Sequence, residues 1–104
     1  MTDLSASEPR ALHGRWRRVS TDECAGRYPV DLSIGPGSRY AGTRAADQGM
    51  VVWDAGTARM PDAQTLAMST ASDEVVSYRL AVEGADRFSV TDPDGCRVTY
   101  ERAD

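Results

Sequence analysis

From Gly14 onward the chain is cut into short segments by clusters of turn-forming residues, and no other feature restricts its fold as strongly. The clusters lie at 22–26, Gly35-Pro36-Gly37-Ser38, 46–49, 54–57, 70–74, Gly84-Ala85-Asp86 and Asp92-Pro93-Asp94-Gly95. Glycine supplies positive φ, proline pre-sets φ near its turn value and aspartate bonds its own backbone, so each cluster reverses the chain with little strain. Their spacing, mostly about 8 to 12 residues, is that of a sandwich or barrel.

Between the clusters, apolar and polar residues alternate. Tyr28, Val30, Leu32 and Ile34 share one face, with Pro29, Asp31 and Ser33 on the other. Val76, Tyr78, Leu80 and Val82 oppose Ser77, Arg79 and Ala81; Phe88 and Val90 oppose Ser89 and Thr91; Cys96, Val98 and Tyr100 oppose Arg97, Thr99 and Glu101. A period of two means one buried and one wet face, the pattern of antiparallel strands. No stretch beyond Gly14 carries a helical stripe. The predicted strands are 14–20, 28–35, 39–45, 49–54, 57–60, 64–70, 75–83, 87–91 and 96–102, with 57–60 short enough to belong to a neighbour. About eight short strands joined by hairpins predict an all-β fold, a small antiparallel up-and-down barrel, which removes its own edges. A two-sheet sandwich is the alternative, but it needs longer crossovers than this chain can spare.

The expected organisation is a leader over 1–13, flexible or partly a helical turn, and a barrel domain over 14–104. A chain of 104 residues makes one domain and buries roughly 60 to 70% of its unfolded surface, enough for one core. Net charge is -4, and the sole basic block is Arg15, Arg17 and Arg18. That composition argues against nucleic acid, which requires a clustered cationic surface. No apolar run approaches the roughly 20 residues that cross a bilayer as a helix, so membrane insertion is not expected. The first nine residues have neither a charged n-region nor an apolar h-region. A native start at Met1 implies a cytoplasmic protein, and a chain trimmed of a preceding segment implies a secreted one.

The segment Ala11-Leu12-His13-Gly14-Arg15-Trp16 opens the first predicted strand. Gly14-Arg15-Trp16 after a short leader resembles the lipocalin and wider calycin group of small barrels. That resemblance implies that Trp16 closes the barrel floor beneath a basic residue of a late strand, Arg97 or Arg102. A stacked Trp–Arg pair is worth on the order of 0.5 to 2 kcal/mol. Ala11, Leu12, Gly14 and Trp16, with a polar trunk before them and a cysteine pair after, also resemble the small bacterial inhibitors of secreted metalloproteases. Those are eight-stranded barrels whose N-terminal trunk is the inhibitory element.

Cys24 follows the end of the first strand and Cys96 begins the last, 72 positions on (96 minus 24). In a closed barrel of even strand number the first and last strands pair antiparallel, so both cysteines reach one rim. A disulfide is then geometrically allowed, and two reduced thiols are the alternative.

The sequence holds no catalytic motif. One His and two Cys lack zinc-ligand spacing, and Asp92-Pro93-Asp94-Gly95 reads as a hairpin turn rather than a calcium loop. Neither a metal nor a cofactor is expected. Asp31 and Glu101 fall on outward faces, Asp54 on a solvated turn and His13 at a strand start. Strict alternation places Arg18 on the inner face, where it needs a carboxylate, an anionic ligand or a bulge that turns it out. Tyr40, Trp53, Met68, Tyr78 and Tyr100 either fill the barrel or line a calyx in which tyrosine hydroxyls anchor a ligand. The leading expectation is a non-catalytic barrel binding a small, mostly apolar molecule through Tyr40, Trp53, Met68, Tyr78, Tyr100 and Arg18. The alternatives are a protease-inhibitor-like or other protein-binding barrel acting through its N-terminal segment, and a small barrel cyclase or isomerase.

Overall fold

A computed structural model describes residues 9–70 and 74–103, so most of the expected leader lies outside the described residues. Eight strands follow in order: β1 (Gly14–Arg18), β2 (Asp31–Gly35), β3 (Arg39–Thr43), β4 (Ala55–Asp62), β5 (Thr65–Ser69), β6 (Val75–Val82), β7 (Arg87–Thr91) and β8 (Arg97–Arg102). Each pairs antiparallel with the next, and β1 pairs with β8 to close the barrel. The alternation holds through most of the sheet: Leu32 and Ile34 of β2, Tyr78 and Leu80 of β6, and Val98 and Tyr100 of β8 are all buried, whereas Val82 at the end of β6 is exposed and Ser89 of β7, expected on the wet face, is buried and hydrogen-bonded to Thr99. Arg10–Leu12 and Glu23–Arg27 are short 3-10 turns, and no described helix is long and apolar enough to cross a membrane.

Several strands are shorter than the sequence reading, and two segments differ from it in kind. The segment 57–60, expected to be short enough to belong to a neighbour, is the middle of a longer strand of its own, β4. The segment 49–54 joins no ladder. Val51 and Trp53 point inward as a strand would place them, but the backbone bonds go elsewhere: the Val52 amide donates to the Arg27 carbonyl at 2.8 Å, and the Asp54 carbonyl accepts from Gly42 at 2.7 Å. Gly42 makes this possible, because a Cβ there would overlap the Trp53 carbonyl oxygen and press on Pro29. The side-chain periodicity of a strand survives without its hydrogen bonds. In β4 the pairing with β5 shifts register between Arg59 and Asp62, around Pro61, whose missing N–H suits a bulge.

One end of the barrel, the floor, is closed by the segment before β1. Leu12 is fully buried, and its carbonyl accepts the Trp16 indole N–H at 2.8 Å. Gly14 turns the chain from this plug into β1 at φ 129°, a backbone that disfavours side chains. Arg102 of β8 lies 4.3 Å over the Trp16 ring and donates to the carbonyls of His13 at 2.7 Å and Ala85 at 3.0 Å. Arg97, the other cation considered, faces outward to Glu83 at 3.5 Å.

The opposite end is covered by a lid formed by Glu23–Arg27 and residues 44–54. The Cys24–Cys96 disulfide fastens the lid to the start of β8, with its Cα atoms 6.0 Å apart. The Gln48 side-chain amide donates to the carbonyls of Gly26 at 2.9 Å and Tyr28 at 2.7 Å, knitting the two lid segments together.

Candidate functional site

Aromatic rings run from floor to lid without a break. Trp16 meets Phe88 edge-on at 4.7 Å, Phe88 stacks on Tyr100 at 5.5 Å, and Tyr100 stacks on Trp53 at 6.1 Å. Around Trp53 stand Tyr28 at 4.8 Å, Tyr78 at 5.2 Å and Tyr40 at 6.5 Å, all edge-to-face. Such pairs each add about 0.5 to 1.5 kcal/mol beyond the area they bury. Inward positions on eight strands converge on an interior narrow enough for side chains to fill, and here large rings occupy it.

Five of the six residues expected to bind a ligand are therefore together inside the barrel. Trp53 and Met68 are 0% exposed, Tyr100 0%, Tyr78 2% and Tyr40 4%. Their polar atoms are engaged within the chain. The Trp53 indole N–H donates to the Tyr78 hydroxyl at 3.1 Å, Tyr40 donates to the Ser69 carbonyl at 2.5 Å and Tyr100 to the Pro29 carbonyl at 2.6 Å. Arg18, the sixth, stands apart from them at the rim. Its guanidinium donates to the carbonyls of Ala25 at 2.6 Å and Tyr28 at 2.7 Å. Neither a carboxylate nor a bulge resolves its inward direction; the lid's backbone does.

Asp92 is the residue that sequence reasoning placed in a plain turn and that the structure makes a centre. One carboxylate oxygen accepts the Tyr28 hydroxyl at 2.7 Å and the Arg27 guanidinium at 3.2 Å. The other accepts the amides of Asp94 at 2.9 Å and Cys96 at 2.8 Å. Burial works against its charge, but the bonds from Tyr28 and the two amides, with Arg27 alongside, outweigh that and hold its pKa below the ordinary carboxylate value. The Tyr28 and Tyr78 rings meet edge-to-face at 6.2 Å. Two hydrogen-bonded pairs, Trp53–Tyr78 and Tyr28–Asp92, thus stand side by side beneath the lid. The sequence signal for the second was present: an aspartate two residues before another Asp-Gly, next to a cysteine, invites an Asx turn whose second oxygen is left free.

All four tyrosines are shifted upward, chiefly by burial, with Tyr40 pushed up to about 12. Near neutrality each is a neutral hydrogen-bonding group rather than a base. The carboxylates read as outward are outward: Asp31 meets Arg17 at 3.4 Å, Glu101 meets Arg87 at 3.4 Å, and exposed Asp54 caps the Ala55 amide at 2.6 Å. Between β1 and β8 an open groove of about 300 Å³ lies on the outer surface, lined by Arg15, Arg17, Asp31 and Glu101 among others.

Comparison of the chain with protein-family models, with curated proteins and with solved structures finds no match.

Proposed function

We propose that this chain is a non-catalytic protein-binding barrel that acts through its N-terminal segment, in the manner of the small metalloprotease inhibitors its Ala-Leu-x-Gly-x-Trp start resembles. The observation that carries this reading is the anchoring at the floor. Pro9 and Leu12 are buried, the Leu12 carbonyl is held by Trp16, and Arg102 grips the carbonyl of His13. The described chain therefore begins, at Pro9, from a point held fixed against the floor. A rigid anchor lowers the ordering cost that a binding segment meets on association.

The test is inhibition of a panel of secreted zinc metalloproteases by the full chain and by a chain lacking residues 2–8. The expected result is inhibition by the full chain, loss of it in the shortened one, and the same melting transition in both. Equal inhibition by the shortened chain, or none by the full chain, refutes the reading.

A further inference from the structure

Trp53 is held inside this barrel much as a ligand is held. Its side chain enters from the lid loop rather than from a strand, and it is fully enclosed. Tyr28, Tyr40, Tyr78 and Tyr100 surround the rings, and its one polar atom meets one anchor, the Tyr78 hydroxyl at 3.1 Å. Apolar walls with a single placed polar group are the usual make-up of a small-molecule site. The backbone of the loop that carries Trp53 is hydrogen-bonded at the lid. Val52 bonds Arg27, Asp54 bonds Gly42, and the Gln48 side chain bonds Gly26 and Tyr28. The four tyrosines belong to other segments and would stay in place if that loop lifted.

We propose that the upper half of the barrel is a binding site for a planar, bicyclic heteroaromatic with one N–H donor, of which indole is the simplest example. In this structure the chain's own Trp53 occupies it, and the ligand takes its place when the 44–54 loop lifts. This site lies at the lid, opposite the floor that serves the protein-binding reading, and does not depend on it. The tethered indole competes with any free one, so apparent affinity falls by the fraction of molecules with the loop raised.

The probe is indole itself, titrated calorimetrically into the wild-type chain and into W53G. W53G is expected to bind one indole at least about a hundredfold more tightly than wild type and to melt at a higher temperature with it. In the W53G background, Y78F is expected to abolish the preference for indole over benzofuran, which has the same shape and no N–H. Should W53G fail to fold, refolding it with indole present must restore the barrel's circular dichroism, and failure to do so overturns the proposal. Folded W53G that does not bind indole also overturns it. The decisive measurement on the wild type is fluorine NMR of 5-fluorotryptophan-labelled protein. Millimolar indole is expected to move the Trp53 resonance towards its solvent position and leave Trp16, bonded to Leu12, unchanged. A Trp53 signal that does not move while W53G binds indole reduces the site to an engineered cavity and refutes the native role.

Discussion

Removing the Cys24–Cys96 bond is the perturbation whose magnitude the structure fixes best. The bridge spans 72 positions and encloses β2 through β7. In the chain-entropy treatment, a closed loop of that length withdraws about 15 cal/mol/K from the unfolded ensemble, or about 4.4 kcal/mol at 25 °C. The native barrel does not need the bridge for its closure, because β1 and β8 are already paired at Trp16, Arg17 and Arg18 and the Val19 amide continues the seam to Thr99. C24S/C96S is therefore expected to keep its sheet spectrum and lose about 3 to 5 kcal/mol. At about 4 to 8 °C per kcal/mol for a domain of this size, the melting temperature falls by roughly 12 to 40 °C. Urea denaturation of the oxidised wild type, of the wild type in excess dithiol and of the double mutant separates the bond from the substitutions. The two reduced forms must agree. A difference below about 1 kcal/mol from the oxidised protein would show that the unfolded chain is not the state being constrained. Loss of the sheet spectrum would show instead that the β1–β8 seam cannot hold unaided.

Other consequences follow from the floor, the lid and the tyrosines. Arg102→Ala removes a ring contact and the hydrogen bonds to His13 and Ala85, and is expected to cost about 2 to 4 kcal/mol in urea melts, with Arg102→Lys recovering little because an ammonium cannot span the same geometry. Asp92 has a folded pKa below its unfolded one, so its contribution is complete above the unfolded value, about 3.9, and disappears as pH falls through the folded value. Asp92→Asn should lose about 1.5 to 3 kcal/mol at pH 7 and show a flatter acid limb than wild type in denaturation at stepped pH. Tyr40, pushed up to about 12, keeps its proton in the folded state while the unfolded chain begins to ionise near 10. Its contribution is thus present below pH 10 and is lost as pH rises towards 12. Tyrosinate absorbance should therefore stay absent in the native protein until it unfolds, and a smooth rise centred near pH 10 would contradict the burial of all four rings.

The parts of this fold legible in the sequence are those where a side chain and its backbone obey the same rule. In β2 and β8, and in β6 and β7 apart from exposed Val82 and buried Ser89, the inward residues are also ladder residues, so alternation finds both. At 49–54 the rule splits: Val51 and Trp53 alternate like a strand, while their backbone is claimed by Arg27 and Gly42. Nothing local marks that, because the competing partners lie some 10 to 25 positions away in the chain. Arg18 is similar. Its inward direction was readable, but its acceptors are carbonyls of a 3-10 turn, and carbonyls carry no signature in a sequence. Asp92 was hidden by its own legibility as a turn residue, since one oxygen does what a turn aspartate does and the other serves Tyr28 and Arg27. The rim meeting of Cys24 and Cys96 was derivable because it depends only on strand parity and closure.

The β1–β8 seam also sets the order in which this protein can be finished during synthesis. β8 begins at Arg97, 83 residues after β1 begins at Gly14. At about 5 to 20 residues per second, roughly 4 to 17 s separate their appearance on a ribosome. Throughout that interval β1 has an unsatisfied edge, Trp16 has no cation above it and the floor plug has no Arg102 to grip it. The nascent chain can build the meander from β1 to β7, but its two outer edges stay open to any strand that passes. Final closure is a single late event that joins first to last. A folding helper acting on this chain would therefore have one task above others, to shield the edge of β1 until its partner arrives.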